Sequence, residues 1–76
     1  MNKIRRKALQ EIIEQLEELK SSLEEIQEEE EEYRDNMPEN LQGSERYEAA
    51  EEAISNMENA VSALEDTISS IETVVE

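Results

Sequence analysis

The stretch LQEIIEQLEELKSSLEEI, residues 9–26, decides the fold of this chain. Its aliphatic side chains recur at steps of three and four residues, and Tyr33 continues the series. In heptad notation, position a holds Leu9, Leu16 and Leu23, and position d holds Ile12, Leu19, Ile26 and Tyr33. This spacing is typical of an amphipathic helix that packs on a partner along positions a and d. We predict that the helix spans residues 3–35, with Asn2 as its N-cap.

A connector at residues 36–44 separates this helix from a second one. Pro38 predicts the end of the first helix, because the residue before a proline is pushed out of the α-helical region. We expect one extra turn to begin at Pro38 and to close at Gly43, whose missing Cβ suits the left-handed conformation. Ser44 is then the expected N-cap of a second helix over residues 45–75.

The second segment repeats the same seven-residue period. Position a holds Tyr47, Ile54, Val61, Ile68 and Val75, and position d holds Ala50, Met57, Leu64 and Ile71. Two long helices joined by a short loop pack antiparallel. The sequence therefore predicts an all-α chain with a single domain over residues 1–76, an antiparallel, coiled-coil-like two-helix hairpin. On one flank of the interface, the predicted register pairs Lys20 with Glu58.

A hairpin of 76 residues is close to the size, roughly 70–80 residues, below which a single core rarely stabilises a domain. Two helices also leave each interface residue half exposed. The g positions of the second helix are small or weakly polar and have no reason to line an exposed edge: Ala53, Ala60, Thr67 and Val74. We therefore predict a homodimer in which two hairpins form an antiparallel four-helix bundle through this edge. In the alternative, a monomeric hairpin, these residues are only good helix formers.

The composition excludes most catalytic and ligand-binding chemistry. The chain has no His and no Cys, so zinc sites, nucleophile-base pairs and di-iron sites with a Glu-x-x-His motif cannot form. The five consecutive glutamates of residues 28–32 splay around a helix at about 100° per residue and cannot converge on one calcium ion. We predict that the protein is not an enzyme and has no cofactor and no metal.

The formal net charge of −15 repels nucleic acid and anionic membranes, and it suits a basic protein partner or plain solubility. No stretch approaches the roughly 20 apolar residues of a membrane-spanning helix. Residues 1–14 lack the apolar run of a secretory signal, so we expect a cytoplasmic location. The basic residues of the first helix are expected beside the acidic end of the second helix: Lys3, Arg5, Arg6 and Lys7.

Heptad positions b, c and f of the first helix form an acidic face, which is the candidate surface for binding a basic partner. We assign to this acidic face Glu17, Glu18, Glu24, Glu25, Glu28, Glu31 and Glu32. The face can mimic the charge of DNA, or it can serve only for solubility. Glu30 instead faces the helix interface, where we expect it to pair with Arg34 one turn later.

Four apolar or aromatic residues near the connector are candidate anchors for a partner. These loop-end anchors are Tyr33, Met37, Leu41 and Tyr47. Buried aromatic and aliphatic anchors supply much of the binding energy at protein interfaces. In the alternative interpretation, the same residues close the end of the bundle.

Residues 35–48 read DNMPENLQGSERYE and run into a helix rich in Ala, Glu and Ile. Over residues 33–72, the chain resembles a group of small, acidic, uncharacterised helical-hairpin proteins of Firmicutes and their bacteriophages. The resemblance carries over no functional residue. It implies a phage or mobile-element origin, where small acidic proteins often inhibit host enzymes or defence systems.

The expected function is protein binding without catalysis, as an inhibitor of a host nucleic-acid-acting or defence protein in the host cytoplasm. The acidic face would contact the basic surface of that partner. The alternative is a structural or assembly subunit, a homo-oligomeric helical bundle with no inhibitory role. A partner lost as salt rises favours the first interpretation, and self-association without a partner favours the second.

Overall fold

The computed structural model describes residues 1–76 as two long helices joined by a short connector. Helix α1 spans Lys3–Asp35 and helix α2 spans Glu45–Val75. The helices pack side by side into a rod of 60 × 15 × 13 Å, and the chain has no strand. Residues near the start of α1 lie beside the end of α2, so the two helices are antiparallel. The prediction of an all-α two-helix hairpin is confirmed.

Both helices begin at side-chain caps. The Asn2 Oδ1 atom accepts a hydrogen bond of 2.8 Å from the Arg5 backbone N–H. In α2, the Ser44 Oγ atom accepts one of 3.3 Å from the Tyr47 backbone N–H. Each cap satisfies a backbone donor that has no partner within its own helix.

The connector contains a single 3-10 turn at Glu39–Leu41, which Pro38 precedes. Its backbone hydrogen bonds join residues three apart in sequence: the Leu41 N–H donates to the Pro38 carbonyl at 2.9 Å, and the Ser44 N–H donates to the Leu41 carbonyl at 3.0 Å. Gly43 has a φ of +87°, the left-handed conformation that the sequence predicts there. The chain therefore reverses direction within a few residues.

The fully buried core is small and belongs mostly to α2. Only four residues are buried: Met37 in the connector and Ala50, Ile54 and Ile68 in α2. No residue of α1 is buried. The a and d positions of α2 all lie at the interface, as predicted.

Helix α1 turns a different face toward α2 from the one predicted. Its half-buried residues at heptad positions a and e are Leu9, Ile13, Leu16, Lys20, Leu23, Gln27, Glu30 and Arg34. The d residues Ile12, Leu19, Ile26 and Tyr33 remain 42–61% exposed. The prediction of an interface at positions a and d is thus right for α2 and for position a of α1, and wrong for position d of α1.

The width of the apolar surface of α1 permits this rotation. Aliphatic residues occupy positions a and d, and Ile13 adds position e, so the apolar sector is wider than one neighbouring helix can cover. With position e at the interface, Lys20 can lay its aliphatic stem against α2 while its ammonium group meets a carboxylate. That carboxylate is Glu65, whose Oε1 atom lies 3.7 Å from the Lys20 Nζ atom. The predicted pairing of Lys20 with Glu58 is wrong by one heptad.

Candidate functional site

The two long edges of the hairpin differ in chemistry. The contact between Lys20 and Glu65 places position e of α1 beside position e of α2 along one edge. Because positions d and g of α1 point to the other side of the helix, they share the opposite edge with position g of α2. We call the first edge the acidic edge and the second the apolar edge.

Carboxylates from both helices line the acidic edge. Glu24, Glu28 and Glu31 of α1 and Glu58 of α2 surround one shallow surface depression. A second depression joins Ile13 and Glu14 of α1 with Glu72 and Glu76 of α2. The edge therefore contains carboxylates of α2 that the sequence analysis did not assign to the candidate surface: Glu58, Glu65 and Glu72. The predicted register already places position e of α2 on this flank, and the structure shifts the partner of Lys20 from Glu58 to Glu65.

The acidic face predicted for α1 is almost entirely open to solvent. Six of its residues are exposed: Glu17, Glu18, Glu24, Glu25, Glu28 and Glu32. Glu31 is half-buried, and its Oε1 atom accepts a hydrogen bond of 3.1 Å from the Gln27 Nε2 atom. No group of three or more carboxylates is arranged to hold a metal ion. The carboxylates therefore produce a broad negative electrostatic potential and do not point toward one common ion.

Very few of these carboxylates are neutralised within the chain. The structure has two ion pairs, Lys20 with Glu65 and Arg34 with Asp35. The Arg34 Nε atom donates to the Asp35 Oδ1 atom at 3.1 Å, and this hydrogen bond raises the pKa of Arg34. The predicted pair of Glu30 with Arg34 is wrong, because Arg34 turns to its sequence neighbour instead. Most of the negative charge is therefore free to act on a partner.

The apolar edge presents large side chains that nothing in the hairpin covers. On α1 these are Ile12, Leu19, Ile26 and Tyr33, which we call the uncovered column. On α2, Ala60, Thr67 and Val74 are exposed and Ala53 is half-buried. The Thr67 hydroxyl donates to the Ala63 carbonyl at 2.8 Å, so its hydrogen-bonding need is met within α2. The edge thus combines the large apolar side chains at position d of α1 with small or weakly polar side chains at position g of α2.

The four loop-end anchors have different environments. Met37 is only 8% exposed and packs into the hairpin core, where it offers a partner little surface. Tyr47 is half-buried. Leu41 and Tyr33 are exposed, and Tyr33 also ends the uncovered column. Of the four residues, Leu41 and Tyr33 retain enough open surface to contact another protein.

The basic residues at the start of α1 make no ion pair with α2, contrary to the prediction that the end of α2 compensates them. Lys3, Arg5, Arg6 and Lys7 are all exposed, and none lies within 4.0 Å of a carboxylate. A helix N-terminus carries partial positive charge, so these cations lie at an unfavourable end of the dipole. The hairpin alone leaves this charge uncompensated.

Neither α1 nor α2 contains a stretch apolar enough to pass through a lipid bilayer. The surface features that could contact another molecule are the acidic edge, the apolar edge and the loop end. The chain matches no protein-family model, no curated protein and no solved structure.

Proposed function

We propose that the protein is a non-enzymatic protein-binding module that binds a basic protein through its acidic edge and the adjoining acidic face of α1. The observation that carries this proposal is the imbalance of exposed charge. Residues 8–35 contain twelve acidic and two basic side chains, and both of those basic side chains already have carboxylate partners. A basic surface is the complement that such a field attracts.

The class of partner that fits best is a protein with a basic cleft for nucleic acid. Residues 8–35 span about 40 Å of helix at 1.5 Å per residue, and their carboxylates form a sparser line of charge than duplex DNA, which has one charge per about 1.7 Å. The carboxylates of α2 on the acidic edge bring this density closer to that of DNA. Inhibition of a host nucleic-acid-acting or defence protein in the host cytoplasm is the role that the phage resemblance implies.

A pull-down from bacterial lysate tests this proposal. The bait variant carries Glu28→Gln and Glu58→Gln on the acidic edge, and the matched control carries Glu52→Gln and Asp66→Asn on the outer face of α2. All four residues are exposed, and both baits lose two negative charges. At roughly 0.2–1 kcal/mol per exposed charge pair, the loss of two pairs should make the edge variant bind about two-fold to thirty-fold more weakly than the control.

Salt separates charge-led binding from other contacts in the same assay. The Debye length falls from about 10 Å at 0.1 M salt to about 3 Å at 1 M, so a partner held by the acidic edge should be lost at high salt. A partner that survives high salt, or that both variants weaken equally, would contradict the proposal.

A second candidate function, a structural subunit that assembles with itself, is favoured by the apolar edge. Exposed large apolar patches on a small protein commonly mark an interface with another protein. We propose that two hairpins form a homodimer, a four-helix bundle, through this edge. Sedimentation at micromolar concentration tests it: we expect twice the chain mass of 8.8 kDa, and a single 8.8 kDa species would refute the homodimer.

A further inference from the structure

The hairpin exposes more surface than a compact protein of its mass. Its accessible surface is 5794 Å². Folded monomers of this mass, 8.8 kDa, expose about 4,800 Å², so the excess is about 1,000 Å². A standard protein interface buries about 800 Å² on each partner. The excess area is therefore about the area that one stable interface buries on each partner. The uncovered column is the apolar surface available for such an interface.

Three of the four members of the uncovered column, Ile12, Leu19 and Ile26, are centred on the middle of α1. Leu19 is the middle residue of Lys3–Asp35 and the most exposed of the four members of the column. A two-fold axis passing close to Leu19 and perpendicular to α1 lays a second α1 antiparallel along the first, over its whole length. The same operation brings Ile12 of one copy opposite Ile26 of the other. Symmetric, self-complementary contact of this kind is what a two-fold dimer requires.

The charges of α1 fit the same arrangement. The first turns of α1 carry four exposed cations without ion pairs, whereas residues 24–35 carry eight acidic side chains and one basic side chain. An antiparallel second copy puts the basic start of each α1 beside the acidic end of the other. Opposite charges then meet at both ends of the interface, and the cations gain the partners that their own hairpin does not supply.

We infer that, in the homodimer proposed above, α1 of one copy packs antiparallel against α1 of the other through the uncovered column. Leu19 then lies close to the two-fold axis, and the two connectors lie at opposite ends of the bundle. This inference rests on that proposed homodimer and specifies which helices meet. In the competing arrangement the connectors lie at the same end, and α1 of one copy faces α2 of the other. There, the two copies of Leu19 lie across the diagonal of the bundle, roughly 13 Å apart for helices spaced by 8–10 Å.

The mass of charged variants tests whether the uncovered column forms the interface. Leu19→Glu places a charge in the middle of the column, and the control Ile4→Glu places one at a site that is 80% exposed and outside it. Loss of two buried leucine side chains per dimer should weaken dimerisation about 100-fold or more. We expect Leu19→Glu to sediment as the 8.8 kDa chain and Ile4→Glu to remain dimeric. Equal masses for the two variants would overturn the inference.

Cross-linking tests which helices meet. The chain has no cysteine, so single-cysteine variants report one position each. We expect a short bismaleimide to join the introduced thiol of one Leu19→Cys chain to that of a second Leu19→Cys chain. In a mixture of the Leu19→Cys and Thr67→Cys variants, we expect few links between a chain of one variant and a chain of the other. Mixed links that exceed the links between two Leu19→Cys chains would establish the competing arrangement and overturn the inference, while leaving the homodimer intact. A monomeric wild-type chain would overturn both.

Discussion

Replacing Ile54 and Ile26 by alanine distinguishes a residue of the hairpin core from a residue of the uncovered column. The change removes three carbon atoms, which for full burial is worth about 2.4 kcal/mol at about 0.8 kcal/mol per carbon. Ile54 is 4% exposed, so nearly the whole amount is lost, and the cavity left behind brings the expected cost to about 2–4 kcal/mol. Ile26 is 54% exposed, and its expected cost in the isolated hairpin is about 1 kcal/mol.

Urea denaturation followed by far-ultraviolet circular dichroism measures these costs. Both alanine changes are made in the Leu19→Glu background, where we expect the chain to be monomeric, and then in the wild-type background. The cost of Ile54→Ala should be similar in both, because its contacts lie within one hairpin. The cost of Ile26→Ala should rise in the wild type, because the second copy would bury the rest of its side chain in both chains of the dimer.

The comparison can fail in two informative ways. Equal costs of Ile26→Ala and Ile54→Ala in the Leu19→Glu background would show that the column is already covered within one hairpin, against the rotation of α1 described above. An unchanged cost of Ile26→Ala between the two backgrounds would show that no second copy covers it. The unfolding slope with urea must stay constant between variants for the free energies to be compared.

Three further changes test local features. Gly43→Ala should lower the free energy of unfolding in urea by about 1–2 kcal/mol. The cost comes from the left-handed conformation alone, because a Cβ at this position meets nothing within 4 Å, and an unchanged free energy would contradict that conformation. Ser44→Ala should cost about 1 kcal/mol through the lost cap of α2, whereas Ser44→Asp should restore it. Lys20→Met should change stability by less than about 1 kcal/mol, because its 3.7 Å ion pair is partly exposed; a larger loss would mark Glu65 as dependent on Lys20.

The helix ends and the reversal of the chain could be predicted because their signals are local. Asn2 and Ser44 cap backbone groups three residues away, and Gly43 adopts its left-handed conformation without help from other elements. The a and d positions of α2 could also be predicted, because all of its large apolar side chains except Val74 lie there and carboxylates at position e mark one limit of the stripe. These features depend on sequence neighbours or on one unambiguous pattern.

The face that α1 turns to α2 could not be predicted by the same reasoning. Its apolar residues occupy positions a and d, and Ile13 extends the apolar surface to position e, so periodicity alone does not say which part of that surface a single partner helix will cover. Ile13 at position e was the available signal, together with the ability of Lys20 to reach a carboxylate on α2. The acidic character of α1 and the flank that Lys20 shares with Glu58 were readable from the sequence, but the partner of Lys20 is Glu65, one heptad further along α2.

The two proposals place their interfaces on opposite edges of the hairpin, and this makes them compatible. A second copy that covers the uncovered column leaves the acidic edge of each hairpin open, since Lys20 lies about 100° around α1 from Leu19 and meets Glu65 on the other edge. The two-fold axis then gives the bundle two equivalent acidic edges that face away from each other. A dimer of this form should bind two basic partners, or one partner with two basic sites, whereas the Leu19→Glu monomer should bind one. The affinity of the monomer for a single basic site should equal that of each site of the dimer. A fall from two bound sites to one, with unchanged affinity per site, would link assembly to function in this protein.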